Sequence, residues 1–135
     1  GLPEPLFRRL IIEPTKLLVS RLRILGVSAP IIGFPRGAGP MITAYAHETG
    51  VSALGVDTQM PAVFARGVTP AGMALQGNLD PQLLVVGGDA LEQGVAEVLE
   101  SFASGPHIFN LGHGITPEAT PENVARLVEL VKAGS

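Results

Sequence analysis

The residues of this chain best able to do chemistry sit just after short apolar runs. His113 lies between Gly112 and Gly114, past the run His107 to Leu111. Arg36 lies in the turn Pro35-Arg36-Gly37-Ala38-Gly39, past Ala29 to Phe34. Asp57 and Thr58 close a third run, Gln76, Asn78 and Asp80 a fourth, and Asn110 precedes His113. An imidazole near neutral pKa can hydrogen-bond a carboxylate or pass a proton. A guanidinium in a glycine-rich turn can grip a carboxylate through a two-pronged fork, or pair with a neighbouring acid. The Arg36 turn lacks the GK[ST] ending of a phosphate-binding P-loop. His113 could equally be a turn residue bonded to backbone. Asp57 stands where a catalytic acid would sit, or orders the rim by accepting loop N–H bonds. Asn78 and Asp80 have the spacing of local side-chain-to-backbone turns. Gln76 and Asn110 stay open. His107, at a strand start, is read as structural. His47 and Glu92, Glu97, Glu100 and Glu129 are read as solvated helix faces.

The intervening segments must position these groups. Leu6 to Leu25 has a helical pattern, with Phe7, Leu10 and Ile11, then Leu17, Leu18, Leu22 and Leu25, as its apolar stripe. Pro14 should kink it or start a second helix. Strands are expected at Ala29–Phe34, Ser52–Asp57, Gly72–Gln76 and His107–Leu111. Helices are expected from Pro40 to about Thr49, Met60 to Arg66, Asp89 to Ala103 and Pro121 to Ala133. Asp89 and Glu92 have capping-box spacing, above a stripe of Leu91, Val95, Val98, Leu99 and Phe102. Thr120 should cap the last helix, which would bury Val124, Leu127, Val128 and Val131. The order α-βα-βα-βα-βα, with strands apolar on both faces, predicts a parallel sheet. In a (β/α)8 barrel every polar cluster named above would face one rim, where active sites lie. A barrel takes about 250 residues, so four strands make half of one.

Composition narrows the function. The 135 residues allow one domain or part of one. A net charge of −3 with scattered Lys and Arg, and few aromatics, argues against nucleic acid. No apolar run approaches the roughly 20 residues of a membrane span, and there is no charged-then-apolar leader. The absence of cysteine removes disulfides, thiolate zinc sites and a cysteine nucleophile, and is compatible with a cytoplasmic location. No dinucleotide-binding GxGxxG follows any strand.

The stretches IIGFPRGAG (31–39), ALGVDT (53–58), ALQGNLDP (74–81) and FNLGHGITPEATPENV (109–124), with LFRRLIIEP (6–14), resemble the C-terminal half of the uroporphyrinogen decarboxylase family. The resemblance covers nearly the whole chain. It implies an α/β fold that is the C-terminal half of a (β/α)8 TIM barrel, four parallel strands alternating with helices, over residues 1–135. It implies cofactor-free removal of carboxylate from the acetate arms of uroporphyrinogen III, giving coproporphyrinogen III, in a cytoplasmic enzyme that is usually a homodimer. His113, in the GHG motif, would contact the tetrapyrrole substrate, with Arg36 possible beside it. No metal ligand and no catalytic residue is assigned here. The family's essential aspartate, substrate-binding arginines, tyrosine and serine precede the matched stretches. The chain is therefore expected to be inactive alone, and to dimerise or pair with an N-terminal half. Two other readings stand. One is a non-catalytic half-barrel interaction module. The other is the corrinoid-dependent methyltransferase branch, whose zinc ligands include a cysteine that this chain lacks.

Overall fold

Four parallel strands in consecutive order carry the computed structural model, which describes residues 1–134. They are β1 (Ile32–Gly33), β2 (Ala53–Gly55), β3 (Ala74–Leu79) and β4 (His107–Leu111). Helix α1 (residues 4–24) precedes them. A 3-10 turn, Gly39–Met41, leads into α2 (Ile42–Glu48) after β1, and α3 (Ala62–Val68) follows β2. Two helices follow β3, α4 (Gln82–Val86) and α5 (Gly88–Phe102), and α6 (Pro121–Gly134) follows β4. The architecture is α/β, a partial barrel of four β/α units. In-register neighbours such as Leu54, Leu75 and His107 share one face of the sheet, and Gly55, Gln76 and Ile108 share the other.

The first face is covered by helices. Leu54, Leu75, Leu79, Leu91 and Phe102 are essentially fully buried there. Each such side chain contributes about 1.5–3 kcal/mol of transfer free energy. One core joins α1, α2 and α3 to β2. A second holds Leu79, Leu84, Leu91 and Val95 against α6. The opposite, concave face is open: Ile32, Phe34 and Ile108 are 43%, 46% and 41% exposed. Apolar residues on both faces are what a closed barrel requires, but these four units bury only one of them.

Some local expectations hold and several are corrected. Pro14 stands in the first turn of an α-helical segment that starts at Glu13, as the expected helix start at this proline requires. A single π-turn, Arg8–Ile12, precedes it within one continuous helix. The wider turn makes room for a proline ring that would otherwise meet the carbonyl of residue 10, and the Thr15 hydroxyl donates to the Ile11 carbonyl at 2.7 Å. The extra residue per turn also rotates the stripe. Ile12 and Val19 are buried, whereas Leu10, Leu17, Leu18 and Leu25 face outward. Strand β3 does not stop at Gln76 but runs to Leu79, because Gly77 pairs with Phe109 instead of ending the ladder. Gly77 has φ +143°, and a Cβ there would lie 2.5 Å from the Val56 carbonyl oxygen. Asp89 makes no capping bond, since α5 already begins at Gly88 behind Gly87. Thr120 does cap α6, accepting from the Asn123 N–H at 3.3 Å. No residue of α6 is fully buried, and Val128 is exposed.

Candidate functional site

The C-terminal ends of the strands form a cleft of about 520 Å³. Its floor is apolar: Phe34 at the end of β1, Ile115 in the β4–α6 loop, and Val124 and Leu127 of α6. The Phe34 ring reaches this position because Gly55 has no side chain; a Cβ there would meet the ring at 2.8 Å. Gln76, Asn110 and His113 supply its polar groups. A smaller notch of about 150 Å³ adjoins it, lined by Arg36, Gly37, Asp57, Thr58, Gln59 and His113. His113 borders both spaces. The loops after β1, β2 and β4 thus meet at one imidazole.

The His113 loop is fixed from below. The Gly112 N–H donates to the Leu79 carbonyl at 2.8 Å. Gly112 packs so closely on Thr58 that a Cβ would lie 2.4 Å from the Thr58 backbone nitrogen. His113 itself makes only a long contact from Nδ1 to the Gly114 carbonyl, 3.4 Å, and Nε2 has no partner among the described residues. The Arg36 guanidinium is exposed and has no ion pair among the described residues. The alternative of a neighbouring acid is answered by Asp57, whose carboxylate is engaged elsewhere. Its Oδ2 accepts from the Gly37 N–H at 2.7 Å and its Oδ1 from the Gln59 N–H at 3.1 Å. With both oxygens held by loop amides, Asp57 orders the rim.

Asp80 forms the expected local turn, accepting from the Gln82 N–H at 2.9 Å. Asn78 does not. Its Nδ2 donates across the sheet to the carbonyls of Asp57 and Met60, each at 2.8 Å. The Asn110 Oδ1 accepts from the Leu111 N–H at 2.8 Å. The Phe34 and Ile115 floor was not anticipated from sequence. The one available clue was an aromatic ending β1 beside a strand containing Gly55. Among the described residues no cluster of three or more His, Asp or Glu side chains is placed to hold a metal ion.

The other two histidines are elsewhere. The His47 Nε2 lies 3.1 Å from the Val68 carbonyl on an exposed helix face. The His107 ring stacks on Phe102, with centroids 4.5 Å apart and planes 7° from parallel, and its Nε2 is 2.6 Å from the Gly77 carbonyl. Burial pushes its pKa down, with a smaller contribution from nearby Arg66, while the bond to Gly77 opposes the shift. Because a carbonyl oxygen can only accept, Nε2 carries the proton of this bond and donates to Gly77.

What the rim offers is hydrogen-bonding and cationic groups around an apolar floor. That suits a broad apolar molecule with anionic arms. The Uroporphyrinogen decarboxylase (URO-D) family matches residues 1–134. A uroporphyrinogen decarboxylase of Maricaulis maris is 51% identical over 132 residues, covering 98% of this chain and 38% of the relative. One from Hyphomonas neptunium is 48% identical with the same coverage. One from Granulibacter bethesdensis is 47% identical over 133 residues, 39% of its length. The chain therefore spans a little over a third of the relatives it matches. It belongs to the uroporphyrinogen decarboxylase family.

Proposed function

We propose that this chain forms one wall of the substrate cleft of a uroporphyrinogen decarboxylase. The observation that carries this is that His113 lines the apolar-floored cleft and also, together with Arg36 from a loop 77 residues away in sequence (113 − 36), the notch beside it. Among the described residues neither has a charge partner, so both can meet carboxylates of a tetrapyrrole. Decarboxylation without a cofactor begins with a proton delivered to a pyrrole carbon. The protonated ring then accepts the electron pair of the bond to the departing carboxylate, and CO2 leaves. His113 serves this chemistry by holding a propionate arm or by relaying the proton. Arg36 grips a second carboxylate. The groups that start the reaction belong to the share of the relatives' length that this chain does not span, so the chain alone binds substrate without turning it over. It acts as a homodimer or paired with an N-terminal half, in the cytoplasm.

The test is turnover of uroporphyrinogen by the chain alone and after an N-terminal half is supplied. Activity is expected only in the complemented form, with His113→Ala lowering substrate affinity about tenfold, equivalent to about 1.4 kcal/mol. Unchanged affinity in that variant would remove His113 from the site.

A second reading is favoured by the open concave face, with its exposed Ile32, Phe34 and Ile108. In this reading the chain is a non-catalytic half-barrel whose purpose is to bind a partner. Light scattering with porphyrin titration on the purified chain separates the two: an assembly that binds porphyrin supports the first, an assembly that binds none supports the second, and a well-folded monomer argues against both.

A further inference from the structure

One short segment supports both arms of the cleft. The turn 57–60 is closed by the Met60 N–H donating to the Asp57 carbonyl at 3.1 Å. The Asp57 carboxylate reaches one way to Gly37, next to Arg36, and the other way to Gln59. The backbone of Thr58, between them, is the seat on which Gly112 rests, next to His113. This turn is itself tied to the sheet by Asn78. Both amide hydrogens of Asn78 go to its two end carbonyls, Asp57 and Met60. Two carbonyl acceptors facing one terminal atom can be satisfied only by an NH2 group.

We propose that Asn78 is a positioning residue for the cleft, acting through the 57–60 turn to set Arg36 and His113 at their mutual distance. This rests on the reading of the cleft as a carboxylate-binding site. An aspartate at position 78 has the same shape but would set a carboxylate against two carbonyl oxygens. The turn would loosen, and both loops with it.

The experiment uses the 135-residue chain, amide hydrogen exchange, and uroporphyrin as the probe. In Asn78→Asp, the Gly37 and Gln59 amides should exchange at least about tenfold faster, while the Ile108 and Asn110 amides of β4, which face β3, keep their rates. Uroporphyrin affinity should fall about tenfold. In an Arg36→Ala/His113→Ala background, Asn78→Asp should weaken binding no further, because the groups it positions are gone. Unchanged exchange at Gly37 and Gln59 would overturn the proposal. So would acceleration spread equally over β4, or an undiminished affinity loss in the double-variant background. If Asn78→Asp does not fold, Asp57→Asn probes the same turn by turning one acceptor oxygen into a donor, with the same two amides expected to speed up. Should Arg36→Ala/His113→Ala bind uroporphyrin as tightly as the parent, the carboxylate-binding reading fails. The exchange rates would still decide whether Asn78 holds the turn.

Discussion

The same two residue types, an arginine and a histidine, stand at opposite ends of this sheet in opposite conditions. At the N-terminal ends of β3 and β4, Arg66 donates to the Met73 carbonyl at 2.8 Å and to the Pro106 carbonyl. His107 is stacked on Phe102 and bonded to Gly77. Burial lowers the pKa of both. At the C-terminal ends, Arg36 has no ion pair among the described residues, and His113 makes one long contact. The lesson is that residue type does not mark a site; bonding capacity that faces water does. A cation whose two terminal nitrogens are held by backbone carbonyls, as in Arg66, holds the fold together, and one whose donors face water is available to a ligand.

The comparison predicts opposite phenotypes, and the largest effect should be at the N-terminal end. Arg66→Met takes the arginine donor from the Met73 carbonyl and leaves the Pro106 carbonyl with only the Leu75 N–H. It should lower the unfolding free energy in urea by about 3 kcal/mol, while the remaining folded protein binds uroporphyrin normally. A binding defect with intact stability would break the contrast. Next comes Gly112→Ala, whose new methyl meets the Thr58 backbone. It should cost about 1–3 kcal/mol through overpacking and also weaken uroporphyrin binding, since the His113 loop has to lift.

A smaller effect concerns pH. The folded-state pKa of His107 lies below the ordinary histidine value of about 6.5. Its contribution is therefore present above that value. It is lost as pH falls from about 6.5 through the lower, folded-state pKa, because the unfolded chain takes up the proton first. Urea midpoints compared at about pH 8 and about pH 5 should drop on acidification, and His107→Phe should shrink that drop. An identical drop in the variant would assign the acid sensitivity to other groups. The smallest effect on stability belongs to His113→Ala, within about 0.5 kcal/mol. Its effect should be confined to ligand affinity.

The four β/α units and their polar ends were legible in sequence, because apolar runs and glycine or proline punctuation are local features. The placement of Arg36 and His113 on one rim followed from the parallel order, and the structure puts them on adjoining spaces. What was not legible depended on contacts distant in sequence. Gly77 reads as a break, yet it continues β3 because its missing Cβ lets the chain pass the Val56 carbonyl. Asn78 reads as a local turn residue, but its acceptors lie 21 and 18 residues away. The stripe of α1 does not keep period 3.6, because the π-turn at Arg8–Ile12 adds a residue to one turn. Asp89 does not cap because the helix, entered through positive φ at Gly87 and Gly88, starts two residues earlier than the box spacing requires.

The consecutive strand order has a kinetic consequence. A sheet whose neighbours in space are also neighbours in sequence can grow or fray one unit at a time, like a zipper. Its teeth are uneven: β1 and β2 are matched at two residue pairs, while β3 and β4 are matched at five. Local opening should therefore start at β1 and stop at β3–β4, which would be the last part of the sheet to exchange its amide hydrogens. Arg36 is carried by the loosest strand and His113 follows the tightest. A ligand that joins them would close the zipper at its weak end.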